Sequence, residues 1–252
     1  MQYGYTSNRL MKTLIISDLH LSDRFDLQRA EYLVELLISA DQVILNGDFW
    51  DNHACTFTNF IHSPWKVLFP ILKSRDTVYI YGNHDRPQDS DERVALFSKV
   101  QANHWQLRDG TLRLHIEHGH HILAKHHDSP NWLVTLYRVA LYDVWFRQPL
   151  EHFLVSRGSE LLHRWHMGSS QAELIKKAAS VQEDYLVTGH THLPKLDAEK
   201  KFINLGYINH GLSYYVEVTD GKAYFIKESY VPKRKLLSKQ NLLKSAQVAR
   251  PQ

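Results

Sequence analysis

The stretch "LIISDLH", residues 14–20, joins a short apolar run to a carboxylate and an imidazole. Two more apolar runs, residues 43–45 and 78–80, are followed in the same way by "NGDFWD" and "GNHD". Apolar runs of this length, bounded by turn residues, are typical of buried strands. Between the first two runs, apolar residues from Leu27 to Leu37 recur at steps of three and four, which predicts an amphipathic helix. Strand, helix and strand in succession predict an α/β fold.

Strands are also predicted in the second half of the chain. Leu112, Leu114 and Ile116 alternate with polar residues, as expected of a half-exposed strand. Further apolar runs lie at residues 186–187, 202–203, 214–218 and 223–226. The "TDG" before the last of them predicts a hairpin.

Polar side chains follow five of these strands. The segments that carry them are "SDLH", "NGDFWD", "GNHD", "HGHH" and "GHTH". In α/β sheets, ligands bind beyond the carboxyl ends of the strands, so side chains that are distant in the sequence converge there. The candidate metal ligands are Asp18, His20, Asp48, Asn83, His118, His190 and His192.

The types of these side chains indicate which ions they bind. Carboxylate, imidazole and amide ligands without a thiolate suit Mn²⁺, Fe or Zn²⁺. Seven candidates exceed the needs of one ion, and a carboxylate that bridges two cations holds them about 3.5–4 Å apart. A single motif such as "GNHD" is explained equally well as a turn with an Asx cap. The combination at five strand ends favours two divalent ions, with Mn²⁺ expected and Fe or Zn²⁺ as alternatives.

The histidine after the fourth strand needs a reason of its own, because His115, His120 and His121 lie close to His118 in the sequence. Every second residue of the preceding strand, from Leu112 to Ile116, is apolar and expected to be buried, and position 118 continues this alternation. Gly119 allows the chain to turn directly after it. We therefore favour His118 as the ligand, with His120 as the alternative.

The overall composition narrows the function classes. The 252 residues include 30 basic and 27 acidic ones, so no broad basic surface for nucleic acid is indicated. A single cysteine, Cys55, excludes an internal disulfide and fits a reducing compartment. Residues 1–12 lack the apolar segment of a signal peptide, and no run of about 18 apolar residues predicts a membrane span. We expect a cytoplasmic protein, and the sequence indicates no particular oligomeric state.

The motifs "DLH", "GDFWD", "GNHD", "HGH" and "GHTH" resemble the signature of the calcineurin-like metallophosphoesterases in order and spacing over residues 14–193. This resemblance implies a two-sheet α/β sandwich flanked by helices, with a dinuclear metal site between the sheet ends and a phosphate ester as substrate. The implied ligands of the first metal are Asp18, His20, Asp48 and His192. The implied ligands of the second are Asp48, Asn83, His118 and His190, which makes Asp48 the bridge.

The resemblance also implies the chemistry. Two cations lower the pKa of a shared water, so that a hydroxide rather than a side chain attacks a phosphoester, phosphodiester or pyrophosphate. His84 is the candidate catalytic residue that protonates the leaving oxygen or stabilises the transition state, and Asp85 is expected to orient it. Asp51 is expected to support a neighbouring side chain rather than bind metal itself.

Among these phosphoesterases, the chain most resembles the UDP-2,3-diacylglucosamine diphosphatases, which cleave a lipid A precursor at a pyrophosphate. Like them, it has a long segment between the "HG" and "GHTH" motifs, although that subgroup often has arginine at the position of His84. The alternatives are a nuclease, a small-molecule phosphodiesterase acting on a cyclic nucleotide or dinucleotide, and an inactive metal-binding scaffold. The complete ligand set argues against the scaffold.

We predict a single catalytic domain over residues 11–232, preceded by an extension at residues 1–10 and followed by a tail at residues 233–252. The tail has six basic residues and no acidic one. It is either a solvated end or a weak attachment to anionic lipid at the inner face of the membrane.

A helical insert is predicted at about residues 125–181, where apolar residues form a helical stripe over residues 133–144. Two interpretations fit this insert: a cap that packs on the core, or an apolar chute for an acyl or nucleoside group. In the second interpretation, Trp145, Arg147 and Arg164 are candidate substrate contacts.

Overall fold

The structure, a computed structural model, describes residues 11–123 and 159–230. For residues 159–166 it describes the backbone, and from residue 167 onward it also describes the side chains. The strands are β1 (Thr13–Ile16), β2 (Gln42–Asn46), β3 (Val78–Ile80), β4 (Val100–Ala102), β5 (His104–Asp109), β6 (Leu112–Glu117), β7 (Tyr185–Thr188), β8 (Lys195–Asp197), β9 (Phe202–Asn204), β10 (Ile208–Asn209), β11 (Leu212–Thr219) and β12 (Lys222–Ser229). The helices are α1 (Leu27–Ile38), α2 (Phe57–His62), α3 (Phe69–Ser74) and α4 (Ser159–Ala178).

Helix α1 connects β1 to β2 and illustrates how the sequence sets the element boundaries. The Asp26 side chain accepts a hydrogen bond from the backbone N–H of Arg29 and so caps the first turn. The predicted apolar positions, including Ala30, Leu33 and Leu37, are buried on one face of this helix. The crossover connection makes β1 and β2 parallel.

The first sheet has the strand order β10-β11-β1-β2-β3-β4, and β12 pairs with β11. Strands β1 to β4 are mutually parallel, and their register aligns Ile16 with Leu45 and Asn46 with Ile80. The carboxyl ends of β1, β2 and β3 therefore lie side by side at one edge of the sheet.

The second sheet has the strand order β5-β6-β7-β9-β8. Strands β6 and β7 are parallel, with Ile116 aligned to Val187. The segments that follow these two strands, "HGHH" and "GHTH", consequently start at the same edge of the second sheet.

The two sheets pack against each other through one buried cluster, which includes Ile15 and Ile44 from the first sheet and Ile116 and Val187 from the second. Apolar residues of α1, α2 and α3 form another cluster on the opposite face of the first sheet. Leu174 and Ala178 of α4 pack on the second sheet. The protein thus has the α/β fold that the sequence pattern predicts, and it is the two-sheet sandwich flanked by helices that the resemblance implies.

Most of the predicted elements are confirmed. Each predicted strand is present, α1 covers its predicted stripe, and β11 and β12 form the predicted hairpin. The sequence does not reveal β4, β5, β8, β10, α2 or α3, because elements of two to six residues are too short to show a clear period.

The predicted insert is described only in part. Helix α4 lies within it, whereas the apolar stripe at residues 133–144 is outside the described residues. Across the residues that are described, no helix combines the length and apolar character that crossing a membrane requires.

Candidate metal centre

The chain turns sharply at the candidate ligands. Asp18, His20, Asp48, His190 and His192 all have positive φ angles, between 45° and 66°. This left-handed backbone is uncommon outside glycine and costs about 1–3 kcal/mol for such a residue, and it clusters at functional sites. Here the left-handed backbone turns two side chains of one short segment, such as Asp18 and His20, towards the same group of potential metal ligands.

The first cluster consists of Asp18, His20 and His192, with Asp48 beside them. His192 Nε2 lies 3.0 Å from Asp18 Oδ1 and 3.1 Å from His20 Nε2. His20 Nε2 lies 3.6 Å from Asp48 Oδ2. These are the four residues expected to hold the first metal.

The second cluster consists of Asp48, Asn83, His118 and His190. His118 Nε2 lies 3.3 Å from Asp48 Oδ2 and 3.1 Å from Asn83 Oδ1. His190 Nδ1 lies 2.7 Å from the same Asn83 oxygen. The four residues expected to hold the second metal are therefore also brought together.

One oxygen of Asp48 belongs to both clusters. Oδ2 is the atom that faces His20 on one side and His118 on the other, while Oδ1 accepts a hydrogen bond of 2.9 Å from the backbone N–H of His84. Asp48 is only 1% exposed. A buried carboxylate oxygen between two sets of ligands has the geometry of a bridge between two cations.

Of the two candidate histidines after β6, it is His118 rather than His120 that lies in the second cluster. Its Nδ1 donates a hydrogen bond of 2.9 Å to the backbone carbonyl of Asn46, which directs Nε2 at the cluster. The ring of His120 lies 5.4 Å from the ring of His118. Burial and the neighbouring His118 lower the pKa of His120 to about 3, so His120 is a neutral neighbour of the cluster.

The donor atoms in both clusters fit divalent cations. Carboxylate oxygens, an amide oxygen and imidazole nitrogens face one another at close range, and such lone pairs repel unless positive charge lies between them. In the described part of the chain, the ion pairs formed by Asp18 and Asp48 involve histidines alone, although both carboxylates are buried. Although burial opposes it, these two carboxylates raise the pKa of His118 to about 10. The site therefore favours positive charge.

Glycines at two strand ends permit this convergence. A Cβ atom at Gly82 would overlap Asp48, and a Cβ atom at Gly189 would overlap Ser17 and Asp18. The glycines of "GNHD" and "GHTH" are thus required because the backbone of one segment touches the ligand side chains of another.

His84 lies beside the clusters and is held by Asp51. His84 Nδ1 is 3.0 Å from Asp51 Oδ1, and the other carboxylate oxygen of Asp51 is 3.6 Å from His20 Nδ1. Although burial opposes it, Asp48 and Asp51 raise the pKa of His84 to about 9. The His84 side chain keeps 25% of its surface exposed, so a substrate can reach it.

The expectation that Asp85 orients the His84 ring is wrong. The fully buried Asp85 carboxylate accepts hydrogen bonds from the backbone N–H groups of Asp48, Phe49 and Gly82, at 3.1, 2.7 and 2.6 Å. Asp85 thus fixes the loop that carries Asp48, whereas Asp51 orients His84 as well as supporting His20.

Arg29 is a contributor that the sequence reasoning missed. Its guanidinium is buried and donates to the backbone carbonyls of Leu19 and Ile208, which fixes the segment between Asp18 and His20. A signal was present: Arg29 lies four residues before Leu33 and so falls on the buried face of α1.

The candidate substrate contacts from the insert are only partly placed. Trp145 and Arg147 lie outside the described residues, and the backbone of Arg164 lies in α4. Their assignment as substrate contacts stays a prediction.

The chain matches the calcineurin-like phosphoesterase superfamily domain over residues 11–216 and belongs to this family. It is accordingly a metal-dependent phosphoesterase. No curated protein matches the chain.

Several solved structures are similar to this chain. A predicted phosphoesterase from Streptococcus pneumoniae is 16% identical, with 88% of this chain and 90% of the other covered and a TM-score of 0.44. Yfce, a phosphoesterase from E. coli, is 19% identical, with 83% and 89% covered and a TM-score of 0.43. An archaeal phosphodiesterase is 16% identical, with 87% and 99% covered and a TM-score of 0.43. Similarity this distant does not bear on the substrate.

The contact between Gly189 and Asp18 leads to a prediction. In Gly189→Ala the new methyl group displaces Asp18, so the first cluster loses its geometry. We expect metal binding to weaken by about 10–100-fold, as is typical when the support of a ligand is removed. Isothermal titration of the metal-free protein with Mn²⁺ measures this change.

Gly168→Ala is the matched control, because a Cβ atom at this position in α4 meets nothing within 4 Å. Alanine stabilises a helix interior by roughly 0.5–1 kcal/mol relative to glycine, so this variant should fold and bind Mn²⁺ as the unaltered protein does. Unchanged Mn²⁺ affinity in Gly189→Ala would contradict the close approach of Gly189 to Asp18.

Proposed function

We propose that this phosphoesterase uses two divalent cations, Mn²⁺ foremost, to hydrolyse a phosphodiester or pyrophosphate bond, and that its substrate is an acylated nucleotide sugar of the UDP-2,3-diacylglucosamine type. The observation that carries the dinuclear part is the position of Asp48 Oδ2, 3.6 Å from His20 Nε2 and 3.3 Å from His118 Nε2. The acylated substrate rests on the sequence resemblance and on the apolar character of residues 133–144.

The residues of the two clusters would hold the cations. When bound, the two cations supply an activated water and offset the negative charge of the phosphoryl oxygens. Asp48 fixes the separation of the two half-sites, while Asn46 and Asp51 orient the rings of His118 and His84.

His84 handles the proton of the leaving group. Asp51 accepts a hydrogen bond from the Nδ1–H of His84 and stabilises the imidazolium, which leaves the Nε2 proton available for the leaving oxygen. Imidazole can release a proton, whereas the guanidinium found at this position in the lipid-pyrophosphate subgroup cannot. His84 can therefore give a proton to the alkoxide of a phosphodiester, which needs one to leave, as well as to the phosphate released from a pyrophosphate.

A hydrolysis panel with Mn²⁺ tests the proposal. It comprises bis-p-nitrophenyl phosphate, p-nitrophenyl phosphate, a cyclic nucleotide, single-stranded DNA and UDP-linked glucosamine carrying acyl chains of increasing length. We expect metal-dependent cleavage of the diester, and cleavage of the acylated substrate that improves with chain length, since each buried methylene contributes about 0.8 kcal/mol. Equal rates at all chain lengths would overturn the acylated substrate, and inactivity on every diester and pyrophosphate would overturn the proposal as a whole.

His84→Ala separates proton transfer from metal binding. This variant should keep both metals, because His84 is not among the proposed ligands, and kcat should fall by about 10²–10⁴-fold, as expected for loss of a general acid. The fall in kcat should be smaller for p-nitrophenyl esters than for alkyl esters, because p-nitrophenolate is a good leaving group without protonation. Steady-state kinetics and metal analysis provide the two readouts.

Two outcomes would contradict this role. Loss of metal from His84→Ala would make His84 a ligand, and an equal loss of rate for aryl and alkyl esters would make it an electrostatic rather than a proton-donating group.

A further inference from the structure

A third group of side chains with metal-ligating atoms lies beside the two clusters. Asp51, His53 and His84 each present one ligand atom, and these atoms all lie within 4.8 Å of one another. The Asp51 Oδ1 to His84 Nδ1 distance is 3.0 Å, and the ring centroids of His53 and His84 are 4.3 Å apart. His53 belongs to neither of the two proposed half-sites.

The turn after β2 holds this group together. The backbone N–H of His53 donates a hydrogen bond of 2.8 Å to Asp51 Oδ1, which keeps the His53 ring next to the pair formed by Asp51 and His84. All three residues are half-buried, so an ion from solvent has a path to them.

The chemistry of these side chains suits zinc. Two imidazoles and one carboxylate form a common protein ligand set for a zinc ion that keeps one open position. Zinc bonds of about 2.0–2.2 Å place tetrahedral ligands about 3.3–3.6 Å apart, close to the present separation of Asp51 and His84.

We propose that Asp51, His53 and His84 bind an additional Zn²⁺ ion, and that this ion inhibits hydrolysis by occupying His84 Nδ1. Binding follows from the three side chains alone, whereas inhibition rests on the proposed function of His84. Zinc on Nδ1 takes the place of the hydrogen bond through which Asp51 orients the His84 ring. Hence a His84 ring that binds zinc is no longer held towards the leaving group.

The test is equilibrium dialysis of the full-length, metal-free protein against increasing free Zn²⁺, with zinc content and hydrolysis of a phosphodiester measured at each concentration. We expect the unaltered protein to bind one more Zn²⁺ per chain than His53→Ala. At the concentration where this ion binds, the rate of the unaltered protein should fall by about tenfold or more, since loss of a general acid costs about 10²–10⁴-fold. Each protein is compared with its own rate at two bound zinc ions.

His62→Ala is the matched control, because His62 is an exposed histidine at the end of α2 that belongs to none of the groups of potential metal ligands among the described residues. This variant should bind zinc and be inhibited like the unaltered protein. If His53→Ala binds as many zinc ions as the unaltered protein, the site is overturned. If it is inhibited as strongly as the unaltered protein, the inhibitory role is overturned.

The two proposals fail in different ways. Absence of hydrolysis together with loss of one zinc ion in His53→Ala would remove the proposed function and leave the site. Normal hydrolysis with equal zinc content in both proteins would remove the site and leave the proposed function.

Discussion

A single buried oxygen, Oδ2 of Asp48, sets the geometry on which the rest of the centre depends. It lies between His20 and His118, which come from different sheets, so the sandwich must bring both sheet edges to one carboxylate. Asp85 fixes the backbone around Asp48 through buried hydrogen bonds, and Gly82 leaves the space that Asp48 occupies. The left-handed backbone at the ligands is the energetic cost of this convergence.

Because the same segments both end the strands and carry the ligands, stability and function are closely linked here. The apolar cluster between the sheets aligns the strand ends, while the ligand segments keep strained turns and buried carboxylates that cations would stabilise. We therefore expect bound metal to stabilise the folded protein as well as to activate water.

The sequence predicts the candidate ligands because each strand, and the polar residues that follow it, can be recognised from a short stretch of sequence. The sequence does not predict which side chains from two distant segments contact each other. Asp85 follows His84 directly in "GNHD", whereas Asp51 lies in the separate "NGDFWD" segment. Only the fold shows that Asp51 reaches the His84 ring while Asp85 accepts hydrogen bonds from backbone N–H groups. The buried contact of Arg29 with Leu19 and the nearness of His53 to His84 depend on tertiary packing in the same way.

The most direct test of the shared carboxylate is electron paramagnetic resonance of the Mn²⁺-loaded protein and of Asp48→Asn, with metal content measured on the same samples. Two Mn²⁺ ions bridged by Asp48 lie about 3.5–4 Å apart and should give an exchange-coupled spectrum. In Asp48→Asn we expect loss of the coupling, lower metal content and a fall in hydrolysis by several orders of magnitude. Uncoupled Mn²⁺ signals in the unaltered protein, or unchanged coupling and hydrolysis in the variant, would contradict the dinuclear centre.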